Sequence, residues 1–307
     1  MATVVLDKIR KVYETKVAVE GLSLRIEPGT MFGLLGPNGS GKTSSIRMMI
    51  GITVPDSGTV TLFEKPFERD ALKRVGYLPE ERGLYKKMNV LEQITFMGQL
   101  RGMSATEADK RGKAWAERLQ ITEALPKKTE ELSKGMQQKI QFITTLLHEP
   151  ELIIMDEPFS GLDPVNGALL QETLMDLRRE GKAILFSTHR MDQVEKMCDA
   201  IALIHRGRIV LEGNMREIKS RYPKNRVDVT FEGDNSFLHN AVVESAEEFG
   251  GGMASIKLRG DGITTMPDAQ PLLAEAVARG TRISRFEVKE PTLEEIFIER
   301  VGGAVDA

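Results

Sequence analysis

The chain has 307 residues, 41% of them hydrophobic and 28% charged, with a formal net charge of −3 at pH 7. That balance excludes a disordered or collagen-like chain, and the length suggests two domains at ~100–200 residues each. No apolar run approaches the ~20 residues that crossing a bilayer requires. There is no basic stripe with interleaved aromatics, so no nucleic-acid partner is expected. Residues 1–8 lack the basic start and long apolar core of a secretory signal. The single cysteine, Cys198, forms no internal disulfide. A reducing, cytoplasmic setting is expected.

In chain order, 4–9 and 22–26 read as strands, and 30–35 as a buried strand running into a glycine-rich turn. The helix expected at 42–50 carries Met48 and Met49, whose flexible thioethers suit core filling. From about 88 to 135 the sequence turns helical and highly charged, a subdomain inserted between sheet strands. Segments 151–155 and 182–187 are short apolar runs bounded by polar residues, the pattern of parallel strands buried on both faces. Segments 201–204 and 208–211 flank His205, Arg206 and Gly207 as a hairpin.

Residues 221–307 carry 10 Lys/Arg and 15 Asp/Glu, net −5, against +2 for the first 220. The boundary falls at the polar, proline-broken stretch Arg221, Tyr222, Pro223, Lys224 and Asn225, which separates expected domains at 1–220 and 226–307. Beyond it the pattern predicts a strand at 226–231, a helix at 236–249, a strand at 254–258, a helix at 269–278 and a strand at 282–288. A last helix opens with Thr292 and Glu295 at capping-box spacing, with Pro291 just before. A small α+β domain of ferredoxin-like type fits, with Gly250, Gly251, Gly252 and the loop 260–267 interrupting its middle.

The strongest local signal is Gly36-Pro37-Asn38-Gly39-Ser40-Gly41-Lys42-Thr43, a complete G-x-x-x-x-G-K-[ST] between a predicted strand and helix, with Ser44 extending it. Glycines let backbone N–H groups wrap phosphate oxygens, and the helix N-terminus adds a fixed positive field. Lys42 supplies a charge for β- and γ-phosphates, and Thr43 a hydroxyl for Mg²⁺. A second element, Leu152-Ile153-Ile154-Met155-Asp156-Glu157-Pro158, is an apolar strand ending in two acids. At the carboxyl edge of a parallel sheet Asp156 would hold Mg²⁺ beside the phosphate loop, and Glu157 would orient and deprotonate an attacking water.

Together with three further motifs these residues resemble an ATP-binding cassette (ABC) ATPase. Leu132-Ser133-Lys134-Gly135-Met136-Gln137-Gln138 is similar to the signature motif. Ser160-Gly161-Leu162-Asp163 resembles the D-loop, and His189 the switch histidine. Tyr13 stands where the family keeps an aromatic residue to stack on adenine. The resemblance spans roughly 4–215. It implies an α/β P-loop domain with an inserted helical subdomain that binds ATP and Mg²⁺. It also implies a second copy of the chain, which presents Ser133 and Gly135 to the nucleotide held across the dimer.

Two departures stand out. Glu80 replaces the usual glutamine; an ionised carboxylate coordinates metal but donates no hydrogen bond. In the signature, Lys134 and Met136 replace glycine and glutamine. These features and the ending Glu290-Pro291-Thr292-Leu293-Glu294-Glu295-Ile296-Phe297 resemble separate ATP-binding subunits of sodium- and drug-extruding ABC exporters. That branch implies a membrane permease on another chain and a position on the cytoplasmic membrane face. The segment 81–102, with Arg82, Tyr85, Lys86, Lys87, Met88, Leu91 and Phe96, is expected to receive an amphipathic permease helix. A soluble ABC ATPase acting on DNA or ribosomes and a weakly catalytic nucleotide-sensing module are the alternatives. Only 97 residues separate Gly36 from Ser133, too few for long coiled coils, and there is one phosphate loop.

Overall fold

A computed structural model describes residues 2–81, 83–222, 225–259 and 268–302. Arg82, Pro223, Lys224 and the loop 260–267 therefore lie outside the described residues. The chain divides into two compact units, Met1–Gly213 and Asn214–Ala307.

In the first unit, β1 (Val4–Tyr13) and β2 (Lys16–Ile26) pair antiparallel, with Tyr13 opposite Lys16 beside the turn. Both run longer than the apolar patterns at 4–9 and 22–26. Register shifts after Leu6 and Ile9 carry polar residues through the ladder, as bulges do. Then come β3 (Met31–Leu35), α1 (Lys42–Met49), β4 (Ser57–Leu62), β5 (Lys65–Pro66) and β6 (Val75–Leu78). Helices α2 (Val90–Leu100), α3 (Ala105–Arg118) and α4 (Lys134–Leu146) follow. The unit closes with β7 (Leu152–Asp156), α5 (Pro164–Arg179), β8 (Ala183–Thr188), α6 (Met191–Met197), β9 (Ala200–His205) and β10 (Arg208–Asn214).

Two sheets result, one antiparallel in the order β2-β1-β4-β5 and one of six strands in the order β10-β9-β3-β8-β7-β6. Strands β3, β7 and β8 are buried along their whole length and pair in parallel, as their continuous apolar runs require. β3 lies between β8 and β9, so the loop after it opens at the carboxyl edge where crossovers diverge. Arg206 and Gly207, at φ 48° and 79°, close the β9–β10 hairpin. One apolar core joins both sheets and α1, with Leu6, Ile26, Ile46, Met48, Ile154 and Leu185 almost fully buried. Met48 and Met49 are core residues, as expected.

The second unit contains α7 (Met215–Ser220), β11 (Arg226–Glu232), β12 (Val243–Gly250), β13 (Met253–Leu258), α8 (Gln270–Ala278), β14 (Arg282–Lys289) and α9 (Leu293–Gly302). Its sheet runs β12-β13-β11-β14, antiparallel throughout. That is the strand order of a split βαβ fold with the first crossover helix missing. The helix expected over 236–249 is instead a short 3-10 turn, Ser236–His239, followed by β12. Glu244, Ala246, Glu247 and Glu248 favour helix locally, but pairing with β13 overrides them. The core lies on one sheet face, where Val227, Val229, Ile256 and Phe237 meet Leu272 and Ala276 of α8. The capping box at α9 forms: Thr292 N–H donates to Glu295 Oε2 (2.8 Å) and Glu295 N–H to Thr292 Oγ1 (3.2 Å).

Candidate functional site

The turn after β3 is built by backbone that only glycine accommodates. At Gly41, φ is 115° and a Cβ would lie 2.5 Å from the Ala18 carbonyl oxygen. At Gly36 a Cβ would lie 2.2 Å from that of Ile204. Lys42 and Ser40 are buried beneath the loop. The Lys42 ammonium donates to the carbonyls of Gly36 (2.8 Å) and Pro37 (3.2 Å). Burial lowers its proton affinity, which the carboxylates of Glu157, Asp156 and Glu80 partly restore.

The two acids after β7 arrive as the strand register demands. Asp156 is 1% exposed and accepts from Thr43 Oγ1 (2.9 Å) and from Ser187 Oγ at the end of β8. Glu157 leaves the strand at φ 51°. Its Oε2 accepts from Thr188 Oγ1 (3.1 Å), and its Oε1 from the backbone N–H of His189 (3.1 Å). His189 Nδ1 lies 2.8 Å from the same oxygen. Glu157 is 12% exposed and His189 56%, so the ring faces outward over a nearly buried carboxylate.

A cleft of about 460 Å³ joins these groups; Tyr13, Asn38, Gly39, Gly41, Lys42, Thr43, Ser44, Glu80, Asp156 and Glu157 all line it. Tyr13 is 41% exposed at its rim. Of the remaining loop residues, Gly36 and Ser40 are buried and Pro37 is exposed, and none of the three lines the cleft. Ser133, Gly135 and Asp163 stand apart from this cleft, at the N-termini of α4 and α5. Ser133 Oγ caps α4 by accepting from Met136 N–H (3.2 Å), and Asp163 caps α5 by accepting from Val165 and Asn166 N–H (3.1 and 3.0 Å). A Cβ on Gly135 would lie 3.6 Å from Leu162 and 3.9 Å from Asn166, so the two helix starts share one surface.

Sequence reasoning missed Ser187 and Thr188, two hydroxyls on the strand end before His189 that hold the acids in place. It also missed Tyr77 on β6, whose phenol is pushed up to about 12, chiefly by burial and then by Asp156. Lys16 and Ala18 of β2 complete the cleft wall. The signal for Lys16 was its place across the turn from Tyr13. The oxygen set of Thr43, Asp156 and Glu80 suits a hard divalent cation such as Mg²⁺.

Residues 19–160 match the ABC transporter family, and residues 213–301 match the C-terminal domain of ATP-binding protein DrrA1-3-like chains. The uncharacterized ABC transporter ATP-binding protein YhaQ of Bacillus subtilis (strain 168) is 42% identical over 303 residues, covering 98% of this chain and 99% of that one. The linearmycin resistance ATP-binding protein LnrL of the same organism is 32% identical over 302 residues, covering 96% and 97%. The Nod factor export ATP-binding protein I of Paraburkholderia xenovorans (strain LB400) is 38% identical over 215 residues, covering 69% and 71%. A solved structure of an ATP-binding subunit of an ABC transporter superposes with a TM-score of 0.66 at 28% identity, covering 71% of this chain and 92% of that one. The chain belongs to the ATP-binding subunits of ABC transporters.

Proposed function

We propose that the chain hydrolyses Mg²⁺-ATP in sites shared between two copies, and that this cycle drives export through a separate membrane permease. The observation that carries the reading is the cleft in which phosphate loop, Thr43–Asp156 pair and Glu157 converge. Thr43 and Asp156, with Glu80 alongside, would hold Mg²⁺, which would supply positive charge to offset the negative charge of the phosphates. Backbone N–H groups at the start of α1 and the Lys42 ammonium hold the phosphates. Tyr13 stacks on the adenine.

Glu157 takes a proton from the attacking water, whose oxygen bonds to the γ-phosphorus as the bridging oxygen leaves with ADP. Thr188 and the His189 backbone keep that carboxylate aimed. His189, anchored through Nδ1, turns Nε2 toward the γ-phosphate. Ser133, Gly135 and Asp163 serve the nucleotide of the partner copy, which accounts for their distance from their own cleft. Export is supported by the names of the linearmycin resistance and Nod factor relatives. A cytoplasmic position beneath the permease follows from that role, and the exposed Tyr85 segment is its docking surface.

Phosphate release by the purified chain, with Mg²⁺-ATP and with chelator, tests the reading. Turnover should require Mg²⁺, vanish in Lys42→Ala together with nucleotide binding, and rise faster than linearly with protein concentration at the dilute end. Rates strictly linear into monomeric conditions would overturn the shared site.

A further inference from the structure

The second unit carries a groove that nucleotide chemistry does not use, of about 630 Å³. Ser255 and Lys257 of β13 form its floor, Glu244 to Glu247 of β12 one wall, and Ile298 and Glu299 of α9 the other. β12 is an edge strand, paired on one side by β13 and, among the described strands, by none on the other. Seven of its eight residues are exposed. Outward backbone groups on such an edge are a template for an added strand. Ile298, 62% exposed, gives the groove an apolar footing.

Charge selects the occupant. Both basic groups of the groove are already ion-paired with its glutamates, Lys257 with Glu244 (2.8 Å) and Arg226 with Glu295. Glu247 and Glu299 add two further acids, in a region of net charge −5. We propose that an extended, Lys/Arg-bearing cytoplasmic segment of the membrane permease adds as a strand to the free edge of β12, with its basic side chains turned over β12 toward the acids of the adjoining groove, an inference that rests on the permease reading above. Cytoplasmic segments of membrane proteins carry an excess of Lys and Arg, which supplies the complement. A second copy is a poor occupant: β12–β12 pairing centred on Ala246 sets Glu244 opposite Glu248. Anionic lipid headgroups are repelled by the same acids.

The test places the photocrosslinker p-benzoylphenylalanine at Ala246, and separately at Tyr85, in the full chain assembled in its native membrane. The Ala246 adduct should map by mass spectrometry to a Lys/Arg-bearing cytoplasmic segment of the co-purifying permease. Its yield should fall with salt and by about tenfold in Glu247→Lys/Glu299→Lys, with ATPase activity of the isolated chain and its melting curve unchanged. A permease adduct from Tyr85 with none from Ala246 overturns the groove assignment and leaves the function standing. An Ala246 adduct to a second copy also overturns it. No permease adduct from either position overturns the permease reading, and the groove assignment with it.

Discussion

Replacing Glu157 by glutamine separates the proposed proton acceptor from everything that holds it. The native carboxylate accepts from Thr188 Oγ1, His189 N–H and His189 Nδ1 at 3.1, 3.1 and 2.8 Å. Glutamine keeps one carbonyl oxygen for the two His189 contacts and turns its NH₂ toward Thr188, whose hydroxyl accepts as well as it donates. The exchange of charged for neutral hydrogen bonds costs about 1–2 kcal/mol of stability. The loss in rate is larger. A general base contributes ~10²–10⁴ in rate, or about 3–5 kcal/mol of barrier. Turnover should therefore fall by about 10³, while affinity for a fluorescent ATP analogue stays within about fivefold. Phosphate release and equilibrium binding on the same preparation read the two quantities. A glutamine variant retaining more than about a tenth of wild-type turnover would show that the base lies elsewhere. A variant that no longer binds nucleotide would show that Glu157 shapes the cleft rather than reacting in it.

Ser133→Ala removes an N-cap worth about 1 kcal/mol, but mixing it with Lys42→Ala should restore turnover, because each mixed dimer contains one site with both residues intact. Absence of rescue in a mixing titration would contradict the shared site. Gly41→Ala forces a Cβ to 2.5 Å from the Ala18 carbonyl at φ 115° and should cost at least about 2 kcal/mol together with nucleotide affinity. Gly167→Ala, with nothing within 4 Å in α5, should be neutral or stabilising by about 0.5–1 kcal/mol in parallel melts. His148 is held down to about 4 from an ordinary 6.5, chiefly by burial and then by Arg101. The unfolded chain thus binds a proton below about 6.5 that the folded site refuses until about 4, and stability falls as pH drops through that window. The loss should reach about 3 kcal/mol, and His148→Gln should flatten that part of a denaturant-midpoint curve; an unchanged slope would sink the argument.

What the sequence disclosed follows from which forces act locally. The phosphate loop and the acids after β7 were legible because their chemistry needs fixed residue types at fixed spacing. The buried parallel strands were legible because both faces are apolar. Strands β4 and β6 were missed because Thr59, Thr61 and Lys73–Arg74 around them leave no clean alternation, and partners far along the chain stabilise them. β12 was misread because glutamates and alanines mimic a helix surface, although Gly250, Gly251 and Gly252 with positive φ mark the hairpin after it. Ser187 and Thr188 escaped notice because a hydroxyl's partner is set by tertiary contact, here a carboxylate thirty-one residues away.

Successive side chains of a strand point to opposite faces, yet Asp156 and Glu157 open on the same cleft. The left-handed backbone of Glu157 achieves this at the instant the strand ends. One peptide link therefore acts as a ruler between the carboxylate proposed to grip the cation and the carboxylate proposed to draw the proton. In the proposed shared-site cycle, two copies could part and rejoin without changing that interval, varying what meets the cleft while its innermost spacing stays constant.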